Sequence, residues 1–428
     1  MQGLAGLLRT RIHYAWIVAA VTFLVLLTAV GVRATPSVLI VPLEEAFGWS
    51  RGIISLAISI NIILYGLMGP FAAAVMQQIG IRRTVLLALA LISASAALSS
   101  LMTAPWQLVL TWGFAVGLGT GVTALVLGAT IVNRWFNKRQ GLVMGVITAS
   151  TATGQLVFLP FLATIVQDHG WRPVVWIAAI VAAAMIPLVA FLLPESPAEI
   201  GLRPYGASDE SVAPATAAAN PITVALSTLG RASKSGSFWL LFASFFVCGA
   251  STNGLIGTHL ISYCIDNGIP EVTGASLLAA MGIFDLVGTT LSGWLSDRYD
   301  GRWLLFWYYG LRGLALLYLP YSGFSLYGLS IFAVFYGLDW IATVPPTVRL
   351  TNQIFGKQDT PIIFGWLLAG HQLGAGMIAF EAGAVRSVLG DYQVPVLISG
   401  VLCIGAALLV LRIGRGTKRD DKLVPAMG

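Results

Sequence analysis

Pro173-Val174-Val175-Trp176-Ile177-Ala178-Ala179-Ile180-Val181-Ala182-Ala183-Ala184-Met185-Ile186-Pro187-Leu188-Val189-Ala190-Phe191-Leu192-Leu193 is an apolar run without a single charge, and Pro194-Glu195-Ser196-Pro197-Ala198-Glu199 ends it abruptly. A helix that crosses a bilayer needs about 20 predominantly apolar residues, so this run reads as one membrane span. Working outward from it, earlier runs occupy about 14–41, 52–76, 84–104, 106–132 and 141–166. Later ones occupy 237–264, 273–296, 303–321, 325–348, 361–385 and 393–412. The interval 194–236 holds Pro194, Pro197, Pro204, Pro214 and Pro221 among serines, alanines and the charges Glu195, Glu199, Arg203, Asp209 and Glu210. Such a stretch cannot bury a core and reads as a linker. The pattern predicts an all-α integral membrane protein of twelve spans. It divides into a six-helix bundle over 1–193, a cytoplasmic linker over 194–236 and a second six-helix bundle over 237–428.

Composition agrees with that reading. Of 428 residues 57% are hydrophobic and 10% charged, and the mean hydropathy is +0.84. Soluble chains carry about 25% charged residues, so the balance excludes an ordinary cytosolic enzyme, a disordered chain and a nucleic-acid-binding protein. Cys248, Cys264 and Cys403 fall in or beside apolar runs and read as small buried hydrophobes. The basic N-terminus precedes a run too long for a signal peptide and is expected to lead into a retained first span. Arg9, Arg11, Arg82, Arg83, Arg134, Lys138, Arg139, Arg203, Arg231, Lys234, Arg298, Arg302, Arg349, Lys357, Arg412, Arg415, Lys418, Arg419 and Lys422 all fall on the N-terminal side. The opposite loops carry Arg51, Arg172 and Arg386. By the positive-inside rule, both termini and the linker are expected in the cytoplasm of a protein of the cell membrane.

Charged groups at mid-span cost roughly 2.5–3.5 kcal/mol each on insertion scales and need a function or a partner. Arg33, in Gly31-Val32-Arg33-Ala34-Thr35-Pro36-Ser37, offers a planar fork that matches a carboxylate, although an arginine so placed can also snorkel to the interface. Asp285, Arg312 and Asp339 lie at similar depth in successive spans. Arg312 with Asp339 is the preferred structural pair, which leaves Asp285 the freer, proton-accepting group. His371, beside Gln372, can titrate near neutral pH or simply pack. His259, nearer the outer end, reads as interfacial, and Glu381, also near an outer end, either gates or is simply solvated. Glycines at 113, 117, 119 and 121 in the fourth span and at 365, 370, 374 and 376 in the eleventh allow close helix approach.

Gly293-Trp294-Leu295-Ser296-Asp297-Arg298-Tyr299-Asp300-Gly301-Arg302 resembles the loop between the eighth and ninth spans of the major facilitator superfamily, with Gly293, Asp297, Arg298, Gly301 and Arg302 as its matching residues and one extra residue before the glycine. Six spans earlier, Gln77-Gln78-Ile79-Gly80-Ile81-Arg82-Arg83 is similar only at its Gly-x-Arg-Arg end, with glutamines in place of Asp-Arg. Two further passages, Pro42-Leu43-Glu44-Glu45-Ala46-Phe47-Gly48-Trp49-Ser50-Arg51 and Asn133-Arg134-Trp135-Phe136-Asn137-Lys138-Arg139-Gln140-Gly141-Leu142, resemble bacterial monocarboxylate and oxalate–formate-type transporters. The resemblance implies two pseudo-symmetric halves around a midplane site, with Arg33 near the family's first-span cation. It also implies an acidic residue at Asp285, but Thr289 stands where monocarboxylate transporters have an arginine, and His371 where the oxalate-type relatives place a lysine.

These readings lead to a monomeric secondary transporter of a small organic monocarboxylate, expected to be proton-coupled and to work by alternating access. Arg33, His371, Gln372, Asn253, Gln155 and Trp112 are the expected substrate residues, Asp285 and His371 the proton-coupling ones. The alternatives are proton-driven efflux of lipophilic or aromatic compounds, and a membrane ligand sensor that does not transport. No metal cluster, nucleophile triad or G-x-x-x-x-G-K-[ST] loop occurs, so no enzyme activity, metal or cofactor is expected, and the partners are an organic anion, a proton and the lipid bilayer.

Overall fold

The computed structural model describes residues 13–207, 221–356 and 359–414. Arg9, Arg11, Asp209, Glu210, Pro214, Lys357, Arg415, Lys418, Arg419 and Lys422 lie outside the described residues. In chain order the first half comprises α1 (Ala15–Phe47), α2 (Arg51–Ile79), α3 (Ile81–Ser99), α4 (Pro105–Trp135), α5 (Gln140–His169) and α6 (Trp171–Leu192). A linker helix, α7 (Pro221–Ala232), follows. The second half comprises α8 (Gly236–Asp266), α9 (Glu271–Ser296), α10 (Gly301–Tyr318), α11 (Leu326–Leu338), α12 (Val344–Phe355), α13 (Thr360–Leu389) and α14 (Gln393–Val410). Among the described residues nine helices are long and apolar enough to cross a membrane. α5, α10 and the pair α11–α12 stand where the sequence places the fifth, ninth and tenth spans.

Local chemistry sets the ends. Ser50 caps α2 by accepting from Ile53 N, Asp300 caps α10 from Arg302 N at 2.9 Å, and Ser325 caps α11 from Gly328 N at 3.1 Å. The tenth span is not the continuous rod expected over 325–348. It breaks at Asp339–Thr343, because Pro345 and Pro346 at the start of α12 have no N–H to give to a preceding turn. α1 is smoother than its Gly31–Ser37 sequence suggests: Thr35, at φ −50 and ψ −42, carries the helical path into Pro36. α4 and α8 each contain a wide π-helical stretch, Val109–Val116 and Ala250–Ile256, a distortion that is frequent at functional sites. The described residues of the linker interval also make contacts that a plain tether lacks. The Tyr205 backbone docks on Trp135 and Asn137 at 2.8 and 2.9 Å, and α7 spans the ends of α2 and α13 with its Ala225 carbonyl held by Trp366 Nε1 at 3.1 Å.

The antiparallel rods give the molecule two ends, a linker face and a far face. The halves meet where α2 packs on α13 and α5 on α9. On α13, positions 365, 372, 376 and 383 lie on one helical face at successive steps of about two, one and two turns, and a side chain at Gly376 or Gly383 would strike Ile63 or Ser55 of α2, respectively. Gln372, on that same face, presses its Cβ toward Gly66. One further two-turn step toward the linker face, Gly365 has open space. Thus α2 and α13 touch from the far face to mid-depth and then diverge.

Candidate functional site: a cavity between the halves

Where the halves diverge they enclose a cavity of about 230 Å³. The first half contributes Arg33 and Val30 from α1, Tyr65 from α2 and Leu125 from α4. The second half contributes most of the wall, including Asn253 from the π-helical turn of α8, Asp285 from α9, Trp340 from the broken tenth span, and His371 and Gln372 from α13.

Arg33 lies over the Tyr65 ring at 4.6 Å, and among the described residues it makes no ion pair and its buried Nε has no hydrogen bond. A guanidinium on an aromatic face, with donors unspent and no carboxylate beside it, is poised for an anion. His371 is buried with its ring 4.9 Å from Phe245, and neither His371 Nδ1 nor Gln372 Oε1 has a hydrogen-bond partner among the described residues. Asp285 accepts from Thr289 Oγ1 at 2.8 Å and from Ile341 N at 2.9 Å. Thr289 thus gives Asp285 a neutral donor where the resembled family has a cation. The second of these bonds satisfies a backbone N–H freed by the break before α12.

Arg312 and Asp339 stand behind the wall. Arg312 is fully buried, and its Nε donates to Asp339 Oδ2 at 2.7 Å. Nη1 meets Cys248 Sγ at 2.8 Å, and Nη2 reaches the carbonyls of Asp339 and Trp340. An acid from α9 and a base from α10 therefore cradle the broken span from its two sides, one on its amide and one on its carbonyls.

Two expected cavity residues are not on the wall as described. Trp112 is 2% exposed in the apolar core of the first half, and its carbonyl accepts from Asn61 Nδ2 at 2.7 Å. Gly113 and Gly117, which press α4 against α2, fix a helix rotation that turns Trp112 away from the cavity, and composition alone carries no sign of that rotation. Gln155 is on α5, but its side chain lies outside the described residues. His259 is buried rather than interfacial, with Nε2 2.8 Å from the Ala379 carbonyl, while Glu381 is exposed.

The loop motif is divided by role. Asp297 is exposed, and Arg298 folds over Trp294 at 3.9 Å. It is Asp300 that binds Arg302, at 2.7 Å, and this partner holds the Asp300 carboxyl below the usual carboxylate range. Gly301 packs close to Pro346 and Leu350 of α12, and Gly293 has open space. In the first half, where the loop has no acid, Glu195 supplies it from beyond α6: its oxygens accept from Ile81 N and Arg82 N at 2.7 and 2.9 Å.

The far face carries a cluster that the sequence reading missed. Arg51, only 3% exposed at the start of α2, forms a two-pronged bond across the halves to Asp266 at the end of α8, at 2.7 and 2.8 Å. Glu44 binds Arg51 Nε at 2.7 Å, Tyr392 adds its hydroxyl, and Arg386 grips Asp266 from α13 at 2.7 Å. The search for charges at mid-span passes over residues at helix ends, and so it overlooked this latch.

Two helical bundles packed around an inter-half cavity define a multi-pass membrane carrier. Residues 21–348 and 266–426 match the Major Facilitator Superfamily, and the chain belongs to that family of transporters. It is 23% identical over 401 residues to the uncharacterized MFS-type transporter YcxA of Bacillus subtilis, covering 90% of this chain and 91% of that one. It is 24% identical over 404 residues to monocarboxylate transporter 13 of Rattus norvegicus, covering 93% and 88% respectively. In fold it matches the bacterial homologue of the human lysosomal transporter Spinster, solved inward-facing and unoccupied, with a TM-score of 0.71 at 15% identity over 94% of this chain and 97% of that one.

Proposed function

We propose that this transporter moves a small organic monocarboxylate together with a proton by alternating access, with Arg33 as the anion site. The observation that carries the reading is the unpaired Arg33 guanidinium on the cavity wall between the halves. The similarity to a monocarboxylate transporter supports the same substrate class. Gln372, Asn253 and His371 complete the polar part of the site, with Asp285 and His371 as the proton carriers.

Charge balance explains the coupling. With Arg33 charged and Asp285 ionised, the empty cavity is neutral. With an anion on Arg33 and a proton on Asp285 it is neutral again. Either cargo alone leaves a net charge to be carried through a low-dielectric passage, which is costly. The far-face latch and the divergence of α2 and α13 support a cavity reached from the linker face. The basic loops on that face support a cytoplasmic orientation for it in the cell membrane.

The test is uptake of labelled monocarboxylates into proteoliposomes under an imposed pH gradient. Arg33→Ala is expected to abolish uptake, and Asp285→Asn or His371→Ala to weaken its dependence on the gradient. Normal carboxylate transport by Arg33→Ala refutes the anion site. Extrusion of lipophilic dyes by the same variant with an undiminished proton dependence favours the efflux reading instead.

A further inference from the structure

The cavity has one charged pole and one greasy pole. Arg33 and Asn253 also line a second, smaller hollow of about 40 Å³, shared with Pro36 and Thr258 on the far-face side. Arg33 therefore marks the far-face end of the larger cavity. Toward the linker face the wall is built from Phe245, Val344, Phe364 and Leu368, with Met281 and Trp340 at the side.

Several polar residues in this wall are already engaged. Thr252 Oγ1 donates to the Cys248 carbonyl at 2.7 Å, Cys248 Sγ takes Arg312, and Asp285 is held by Thr289 and Ile341. His371 and Gln372 keep free polar atoms at mid-depth, but hydroxyls lying against Val344, Phe364 and Leu368 toward the linker face would find no side-chain partner on those three residues, and burying them unpaired is unfavourable. A short acid such as lactate would fill only the Arg33 end and leave the aromatic wall facing water. By contrast, a buried apolar cavity of about 150 Å³ is enough to hold a benzene ring, so about 230 Å³ accommodates a ring with a carboxylate attached. Trp340, Phe245 and Phe364 offer ring edges and faces, and the Met281 sulfur is a favourable neighbour for an aromatic group.

We infer that the cavity selects aryl monocarboxylates, with the carboxylate on Arg33 and the ring against the wall formed by Phe245, Trp340, Phe364 and Leu368. This rests on the carboxylate reading given above and narrows it: the single guanidinium fixes one negative charge, and the wall requires a flat apolar body. A second carboxylate would lie among Val344, Phe364 and Leu368 without a cation.

The experiment is thermal unfolding of the purified full chain titrated with phenylacetate, lactate and phenylacetamide. Phenylacetate is expected to stabilise at concentrations on the order of tenfold or more below lactate, given the apolar area it buries, and phenylacetamide not to stabilise. Equal potency of lactate and phenylacetate with an inert amide overturns the aryl selectivity and leaves the carboxylate site standing. An amide as effective as the acid, or no stabilisation by either acid, overturns both. Leu368→Trp, which occupies the ring position, is expected to erase the preference for phenylacetate over lactate; a folded variant that keeps the preference places the ring elsewhere and overturns the inference.

Discussion

Arg33 in the first half and Arg312 in the second face the same cost of placing a guanidinium in a membrane, and the protein meets it in opposite ways. Arg312 is sealed at 0% exposure with a carboxylate, two carbonyls and a thiol around it. Arg33 has an aromatic face beneath it and a cavity in front. A buried charge with a partner at every nitrogen holds structure together, and one with a nitrogen left unpartnered is available for a ligand. The same contrast runs through the loops on the linker face. The second half carries its own acid, Asp300, to cap α10, whereas the first half borrows Glu195 from the start of the linker to cap α3. The first half supplies the unpaired guanidinium of Arg33 and depends on a linker carboxylate for its local order. The second caps its own loop and supplies most of the cavity wall.

That contrast breaks most sharply at Arg312. Removing one partner of a buried pair leaves the other uncompensated, and Arg312→Ala is expected to cost about 3–5 kcal/mol in denaturant unfolding, with much of the loss recovered when Asp339→Leu is added. A loss below about 1 kcal/mol would put Arg312 in the same class as Arg33. Next in size is the far-face latch. Asp266→Asn weakens charge-assisted bonds of about 1.5–3 kcal/mol. It should therefore raise maleimide labelling from the far side at a cysteine placed at Ile62, which lines the small hollow beside Arg33, by about tenfold. Unchanged labelling would mean that the halves are held apart or together by apolar packing alone. The smallest effect is expected at the loops: Glu195→Ala should lower stability by about 1 kcal/mol, as should Asp300→Ala, since each removes a helix cap. Because Arg302 holds the Asp300 carboxyl low, its contribution is full near neutral pH and is lost as the pH falls through its depressed range.

The fold was legible because the bilayer imposes length and hydropathy on every span, and the loop at 293–302 pointed to its family. The mid-span charges were legible for the same reason: lipid makes each of Arg33, Asp285, Arg312 and Asp339 conspicuous. Helix rotation was not legible, which is why Trp112 faces the core while its neighbours Gly113 and Gly117 decide the packing. The break at Asp339–Thr343 was written in Pro345-Pro346, but an apolar run hides a proline pair unless its missing amide is counted. The Arg51–Asp266 latch was illegible for a different reason. Charges at helix ends are ordinary, and only the meeting of two ends far apart in the chain makes them a bond between the halves.

The central claim is that the Arg33 guanidinium binds a carboxylate inside the cavity between the halves. Equilibrium binding of radiolabelled phenylacetate to purified wild-type protein and to Arg33→Ala tests it most directly. The account predicts at least about tenfold weaker binding to the variant, the loss of a charge-assisted hydrogen bond. Equal binding to the two proteins would contradict it.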